Sequence, residues 1–361
     1  MTAFWIIIIV AFFCLLQIAY YHRRGLRRVS YTRSFSRGRV FEGEEAELVE
    51  VLVNDKLIPV PWVRVESRIS ANLRFAAQEN LNVEMDQFHK SVFFLGSYSR
   101  ITRTHKIECR KRGYYDCGSV HMVAGDLLGI SSCRRDVRCD AALYVYPRVL
   151  KPEDLPENAL KWQGDIAVRR WIAPDPILVN GIREYRTGDN MRDIHWGATA
   201  RTGQMQVKTR DYTVSPRVML IFNSQISDNL FGGMAPEDAD FLERGISTCA
   251  ALAAWCVDAG IDVGFTTNGE NRLNESGDVF IEPRTGESQL EAILEMLALL
   301  KIKMRVGIQR VLDTCLASGM TGMDVLLVSA YWSDTLGKRA EQLRAAGNSV
   351  TYIPIKGGSR V

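Results

Sequence analysis

Residues 3–21 read A-F-W-I-I-I-I-V-A-F-F-C-L-L-Q-I-A-Y-Y, without a charged side chain. An α-helix needs about 20 apolar residues to cross the hydrocarbon core of a bilayer, since each residue advances it by about 1.5 Å. Tyr20 and Tyr21 close the run, where amphipathic rings sit at the membrane–water boundary. The next residues are H-R-R-G-L-R-R, with arginines at 23, 24, 27 and 28. A cleaved leader would start with basic residues and carry small ones before its cut site, and neither is evident. The run is expected to be a transmembrane signal anchor, and its positive flank predicts a single-pass protein with residues 22–361 in the cytoplasm.

Composition limits the remaining choices. Over 361 residues the formal net charge is +3. That is too small to predict a nucleic-acid footprint, and no zinc-finger, recognition-helix or RNA-binding signature is present. The eight cysteines never fall into C-x-x-C spacing. They read as small buried hydrophobes kept reduced, in keeping with a cytoplasmic location. No G-x-x-x-x-G-K-[ST] phosphate loop occurs.

From Val29 to Pro147 apolar and polar residues alternate in short runs at 46–53, 62–69, 91–95, 102–109, 120–123 and 142–146. Turn formers separate them: E-G-E at 42–44, N-D at 54–55, P-V-P at 59–61 and R-G-Y-Y at 112–115. A period of two belongs to a strand with one buried face, so an all-β, Ig-like sandwich is expected. Residues 148–182 hold Pro152, Pro156, Pro174 and Pro176 and few apolar runs; they read as an irregular connector. Beyond 206 the period changes. R-V-M-L-I-F at 217–222 is apolar throughout, as in a strand buried on both faces of a parallel sheet. Strands at 262–267, 324–329 and 350–355 alternate with helical patterns at 238–259, 289–300, 306–318 and 335–346. Gly260 and Gly347 stop the first and last of these helices. The order predicts a doubly wound α/β domain. The expected layout is a membrane anchor at 1–21, a basic juxtamembrane segment at 22–29, a β-sandwich at 30–147, a connector and charged segment at 148–205, and the α/β domain at 206–361.

The charged segment at 183–205 reads R-E-Y-R-T-G-D-N-M-R-D-I-H-W-G-A-T-A-R-T-G-Q-M. Arginines and carboxylates surround two apolar anchors, Ile194 and Trp196. A guanidinium fork matches a carboxylate through two parallel hydrogen bonds. Arg183, Glu184, Asp189 and Arg201 are therefore expected to form a buried network that locks a non-regular segment. Alternation would turn Ile194 and Trp196 to one side and His195 to the other. The segment resembles the signature of the bacterial family called domain of unknown function 58: R-E-Y, then G-D, then I-x-W, then A-R-x-G. Arg183, Glu184, Tyr185, Gly188, Asp189, Ile194, Trp196, Ala200, Arg201 and Gly203 fill those positions. G-D-L-L-G at 125–129 resembles the family's D-P-F-G turn, with Leu127 and Leu128 replacing Pro and Phe. The resemblance implies a β-rich region followed by a von Willebrand factor A-like domain, with no assigned activity. It also implies a MoxR-type AAA+ ATPase as working partner.

In von Willebrand A-like domains a D-x-S-x-S loop after the first strand holds Mg²⁺. Here those places read Asn223, Gln225 and Ser227, and the loop after 324–329 offers Ser329 instead of an aspartate. Mg²⁺ favours carboxylate oxygen, so this is read as a degenerate metal-site loop that holds no metal. Asp228 and Asp334 are near in sequence but off the expected positions. Partner contacts there would be direct hydrogen bonds from Asn223, Gln225, Ser227 and Ser329. His195 beside Asp193 invites an acid–base reading, but no nucleophile-elbow serine or cysteine accompanies it, and a structural histidine is the simpler reading. The sequence thus predicts a membrane-anchored interaction or adaptor protein with no catalytic residue, metal or cofactor. It would work with the AAA+ ATPase in envelope assembly or stress response. The alternatives are an enzyme built on Asp189, His195 and Arg201, and an extracellular adhesion module.

Overall fold

A computed structural model of the chain describes residues 2–75, 86–172, 179–186, 191–210, 216–227 and 236–355. They fall into two compact units, 1–148 with 294–300, and 149–293 with 301–361.

The first unit opens with helix α1 (Thr2–Arg24), which takes in the whole apolar run and is long and apolar enough to cross a membrane. Eleven strands follow: β1 (Val29–Phe35), β2 (Arg39–Phe41), β3 (Glu45–Asn54), β4 (Val60–Ser70), β5 (Leu73–Phe75), β6 (Asp86–Leu95), β7 (Arg100–Cys109), β8 (Gly113–Asp116), β9 (Ser119–Gly125), β10 (Ser132–Arg138) and β11 (Ala142–Tyr146). They form sheets in the orders β1-β3-β7-β5, β10-β9-β4-β6 and β2-β11-β8. Alternation decides which side chains meet. Leu52 of β3, Val63 and Val65 of β4, Phe93 of β6 and Met122 of β9 share one core, so the two four-stranded sheets pack through their apolar faces. A second cluster joins Leu48, Ile69 and Ile107 to Leu143 and Val145 of the small sheet. One expected turn is corrected: residues 113–116 of R-G-Y-Y-D form β8, because Tyr115 is buried in that cluster and its hydroxyl donates to Lys111 O (2.7 Å).

Inside this core lies an ion pair. Arg33 of β1 and Glu50 of β3 are directly opposed in the strand register and meet at 2.6 Å, both side chains fully buried. Tyr31 Oη (2.7 Å) and Ser91 Oγ (3.3 Å) donate to the Glu50 carboxylate, and His105 Nε2 lies 3.0 Å from it. Arg33 donates to Ser67 Oγ (2.8 Å) and Cys117 O (3.2 Å).

The end of α1 is tied to the same unit. Helix termini leave four carbonyls without intrahelical partners and carry partial negative charge. Lys56 Nζ serves that end, donating to Arg24 O (3.2 Å) and Gly25 O (2.6 Å), and Arg135 donates just beyond it to Leu26 O (3.1 Å) and Val29 O. Tyr21 Oη reaches Pro59 O (2.9 Å). Gly25 is required by the approach. A Cβ there would sit 2.6 Å from Tyr21 O and 2.8 Å from Cys133 Sγ.

The second unit begins with α2 (Glu157–Ile172), which corrects the expectation of an irregular connector at 148–182. Among its described side chains Ala159, Trp162 and Ile166 are buried, spaced three and four apart on one helical face. Next come β12 (Val179–Glu184), α3 (Trp196–Thr202) and β13 (Gln206–Arg210). The remainder of the chain is β14 (Arg217–Phe222), α4 (Pro236–Asp258), β15 (Asp262–Thr267), β16 (Gly269–Asn271), β17 (Val279–Arg284), α5 (Glu287–Leu299), β18 (Leu300–Met304), α6 (Ile308–Ala317), β19 (Met323–Ser329), α7 (Asp334–Ala345) and β20 (Ser349–Pro354), of which 294–300 belong to the first unit.

The main sheet has the order β17-β15-β14-β19-β20. Its strands are parallel except β17, which pairs antiparallel with β15. Both faces are covered. Met219, Ile221, Val325 and Leu327 point into a core with Ile308, Val311, Leu312 and Cys315 of α6 and Leu336, Ala340 and Leu343 of α7. On the other face α4 approaches closely enough that a Cβ on Gly245 would meet Phe222 (2.8 Å) and Ile355 (2.6 Å). This is a doubly wound α/β arrangement with an antiparallel edge strand.

Candidate functional site

Parallel strands end at the same edge of a sheet. Where their chain order reverses, the loops part and leave the usual ligand crevice. Numbering the five strands along the chain, their order is third, second, first, fourth, fifth, so the reversal lies between β14 and β19. Asn223, Ser224 and Gln225 follow β14, Asn268 follows β15, and Ser329 ends β19.

These five residues are buried and bonded to one another. Asn223 Nδ2 donates to Ser329 Oγ (2.9 Å), bridging the reversal. Asn268 Nδ2 donates to Asn223 Oδ1 (3.1 Å) and Gln225 Oε1 (3.2 Å). Asn268 Oδ1 accepts from Ser224 N (2.8 Å) and Ser224 Oγ (2.9 Å). Gln225 Oε1 also accepts from Ile308 N (2.8 Å), an unpaired donor of the first turn of α6. Two donors converging on one oxygen fix the orientation of the Gln225 amide. Its Nε2 is buried without a hydrogen-bond partner among the described residues. Ser329 Oγ donates to Tyr331 O (2.8 Å).

The arrangement corrects one expectation. Asn223, Gln225 and Ser329 turn inward and are spent on each other, so they are not presented to a partner; of the four residues in the loop reading only Ser227 is exposed. Asp334 is exposed in the first turn of α7, and Asp228 lies outside the described residues. The donor set does not fit Mg²⁺. Every described member is neutral, and Asn223 Oδ1, Gln225 Oε1, Asn268 Oδ1 and Ser329 Oγ already accept N–H or O–H donors. An ion there would have to be dehydrated with no carboxylate charge to offset the cost. Asn268 was not singled out from sequence. Its only signal is a polar residue at the C-terminal end of the strand D-V-G-F-T-T.

The charged segment is more regular than expected. β12 pairs antiparallel with β13, with Arg183 opposite Val207 and Glu184 opposite Gln206. Ile194 bridges to Val207, and both are buried. His195 is the N-cap of α3: its Nδ1 accepts from Ala198 N (3.0 Å), and its backbone N donates to Gln206 O (2.7 Å). Thr199 Oγ1 accepts from Gln206 N (3.0 Å) and donates to His195 O (3.0 Å). Gly203 ends α3 at φ 72°, a left-handed conformation that glycine adopts without steric cost.

Because a cap and a helix replace extended chain at 195–196, Ile194 and Trp196 do not share a side. Ile194 is buried and Trp196 is 64% exposed. Arg183, Glu184, Tyr185 and Arg201 are exposed too, which corrects the expected buried network. Arg183 Nη1 donates to Glu184 O (3.1 Å). Gly188 and Asp189 lie outside the described residues. His195 and Arg201 sit at opposite ends of α3 and are not brought together as a catalytic pair.

Residues 181–358 match the family described as "Protein of unknown function DUF58". Through this C-terminal half the chain belongs to that family. No curated protein matches it. Among solved structures, this DUF58 protein is similar to a CARDB domain from Pyrococcus furiosus, at 15% identity over 31% of this chain and 93% of that one, with a TM-score of 0.19. It is similar to a non-cellulosomal cohesin from Archaeoglobus fulgidus, at 12% identity over 34% and 94%, with a TM-score of 0.22. It is also similar to a β-glucosidase from Listeria innocua, at 10% identity over 32% and 16%, with a TM-score of 0.18.

Proposed function

We propose that this DUF58 protein is a membrane-anchored interaction protein and not an enzyme. In this reading an Ig-like sandwich and a von Willebrand A-like domain stand on one transmembrane helix, with residues 22–361 in the cytoplasm. The partner is a MoxR-type AAA+ ATPase, in envelope assembly or stress response. The observation that carries the reading is the exposure of Trp196 within the segment where the family signature is densest. A tryptophan held outward at the start of a capped helix contributes nothing to the core that its exposure allows. Tyr185 and the exposed Arg183, Arg186 and Arg201 accompany it in the same segment, and Trp, Tyr and Arg are the residues that most often dominate binding energy at interfaces. The strand order with its antiparallel edge strand favours the von Willebrand A-like assignment. The inward-turned, neutral switch point leaves the partner contact to the charged segment, without a bridging ion.

The test is binding of the purified ATPase to the full chain in nanodiscs. Trp196→Ala should weaken binding at least tenfold, in line with the 2 kcal/mol or more of a typical hot spot, while the melting temperature stays put. Unchanged binding would remove this surface from the reading.

A further inference from the structure

Three turns lie at the end of the sandwich where α1 joins β1: 55–59 between β3 and β4, 96–99 between β6 and β7, and 126–131 between β9 and β10. Hydrogen bonds fix them together. Tyr98 N donates to Lys56 O (3.1 Å), and Asn54 Nδ2 donates to Gly96 O (2.7 Å) and Ile58 O (3.2 Å). Trp62 Nε1, on β4, donates to Asp126 O (3.1 Å).

Their direction follows from the strand register and two neighbours of the helix. Val29 at the start of β1 lies opposite Asn54, Val60 opposite Leu95 and Trp62 opposite Gly125, so all three turns lie at the end of the sandwich where α1 joins β1. A Cβ on Gly25 would meet Cys133 Sγ, and Tyr21, one turn earlier, donates to Pro59 O (2.9 Å) at the end of the first turn. The turns therefore face the side from which α1 arrives. Leu57, Tyr98, Leu127 and Ile130 on these turns are 70%, 67%, 70% and 69% exposed. Single exposed apolar side chains are ordinary, but a group gathered at one end of a β unit marks a contact surface. This group lies at the end where an apolar helix joins the β unit, and Arg23, Arg24, Arg27 and Arg28 are exposed in the same stretch. Apolar tips beside interfacial tyrosine and a basic ring are the chemistry of a lipid headgroup boundary.

We infer that the three turns form a collar seated in the interfacial layer of the bilayer around α1, with Leu57, Tyr98, Leu127, Leu128 and Ile130 among the upper acyl segments and the arginines at anionic headgroups. The inference rests on reading α1 as a transmembrane helix. Its occupant is lipid.

The test uses the full chain in phosphatidylcholine–phosphatidylglycerol nanodiscs. A benzophenone amino acid replaces one residue at a time: Phe12 in α1, Leu57, Leu128 and Ile130 on the turns, and Glu108 at the far end of β7. Illumination should give lipid adducts at Phe12 and at all three turn positions, with an order of magnitude less at Glu108. Adducts at Phe12 alone would overturn the collar and leave the anchor standing. Their absence at Phe12 as well would overturn the anchor. Protein adducts in place of lipid at the turns would give the surface to a polypeptide partner and overturn the inference.

Discussion

Two polar networks are sealed inside this chain, and they are built in opposite ways. The one in the β unit is charged: Arg33 and Glu50 pair at 2.6 Å with tyrosine, serine and histidine around them. The one in the α/β unit is neutral, made of Asn223, Ser224, Gln225, Asn268 and Ser329. The charge lies between sheets. The neutral set lies at the strand reversal, where this kind of sheet usually binds. A buried pair is a poor source of net stability, because desolvation cancels much of the attraction. It is a good source of discrimination. Arg33 and Glu50 are register partners, and a slip of one residue would send each to the opposite face of its sheet. The hypothesis is that charge selects strand register in the first unit, whereas amides join three loops of the second without ionic sensitivity.

The largest effect should come from breaking the charged set. Arg33→Met or Glu50→Leu alone leaves one buried charge unpaired and should cost about 3–5 kcal/mol, read by urea unfolding of the full chain in detergent. The double variant should recover much of that loss. If the two losses simply add, charge is not acting as a pair and the register hypothesis fails.

Next is Asn268→Asp. It removes the donor that serves both Asn223 Oδ1 and Gln225 Oε1 and sets a carboxylate against them, an expected loss of about 2–3 kcal/mol for newly unsatisfied buried groups. Wild-type thermal unfolding should not respond to millimolar Mg²⁺, since a ligand of the native state alone would raise the melting temperature. A saturable rise would mean that carboxylates, with Asp228 and Asp334 the first to examine, complete a site after all.

Two cysteines report on the networks separately. Burial pushes the Cys117 thiol up to about 11 despite the nearby Arg33, and pushes the Cys315 thiol on α6 up to about 11. Both should alkylate slowly in the native state, because the thiolate is the nucleophile. Arg33→Met should speed Cys117 selectively, and Asn268→Asp should speed Cys315 selectively. Acceleration of both by either variant would show that the units open together.

The smallest effect belongs to a carboxylate whose lysine partners reach solvent. Hydrogen bonds from Lys301 and then Lys303 lower the pKa of Glu270. A depressed carboxylate contributes stability above its unfolded pKa and loses it as pH falls through the folded one. Lys301→Met should therefore flatten the acid limb of the stability curve slightly. An unchanged limb would show that Lys303 suffices.

What sequence reveals here follows the range of each interaction. β3, with alternating Ala46, Leu48 and Leu52, and β14, apolar throughout, are visible because their burial patterns are local. β10 is not: S-C-R-R-D-V-R has no buried position and is held by pairing with β9. α2 hides its face in three residues, Ala159, Trp162 and Ile166, among prolines and charges. At the switch point the loops after β14 and β19 were found by position alone, but which way Asn223 turns depends on Asn268, 45 residues away. In the charged segment, exposure of Arg183 and Glu184 follows from pairing with β13, which no count of opposite charges conveys.

The capped junction at Gly25 has a mechanical meaning. A disordered tether of n residues spreads its cargo over about 5–6 Å × √n, so a tethered domain samples many heights and tilts. Here Lys56 ties the helix end to the turn after β3, and Arg135 ties the segment just beyond it to β10. The β unit and α1 then turn as one body, and on the proposed reading of α1 as a membrane anchor any twist or pull delivered to the β unit reaches the bilayer without slack.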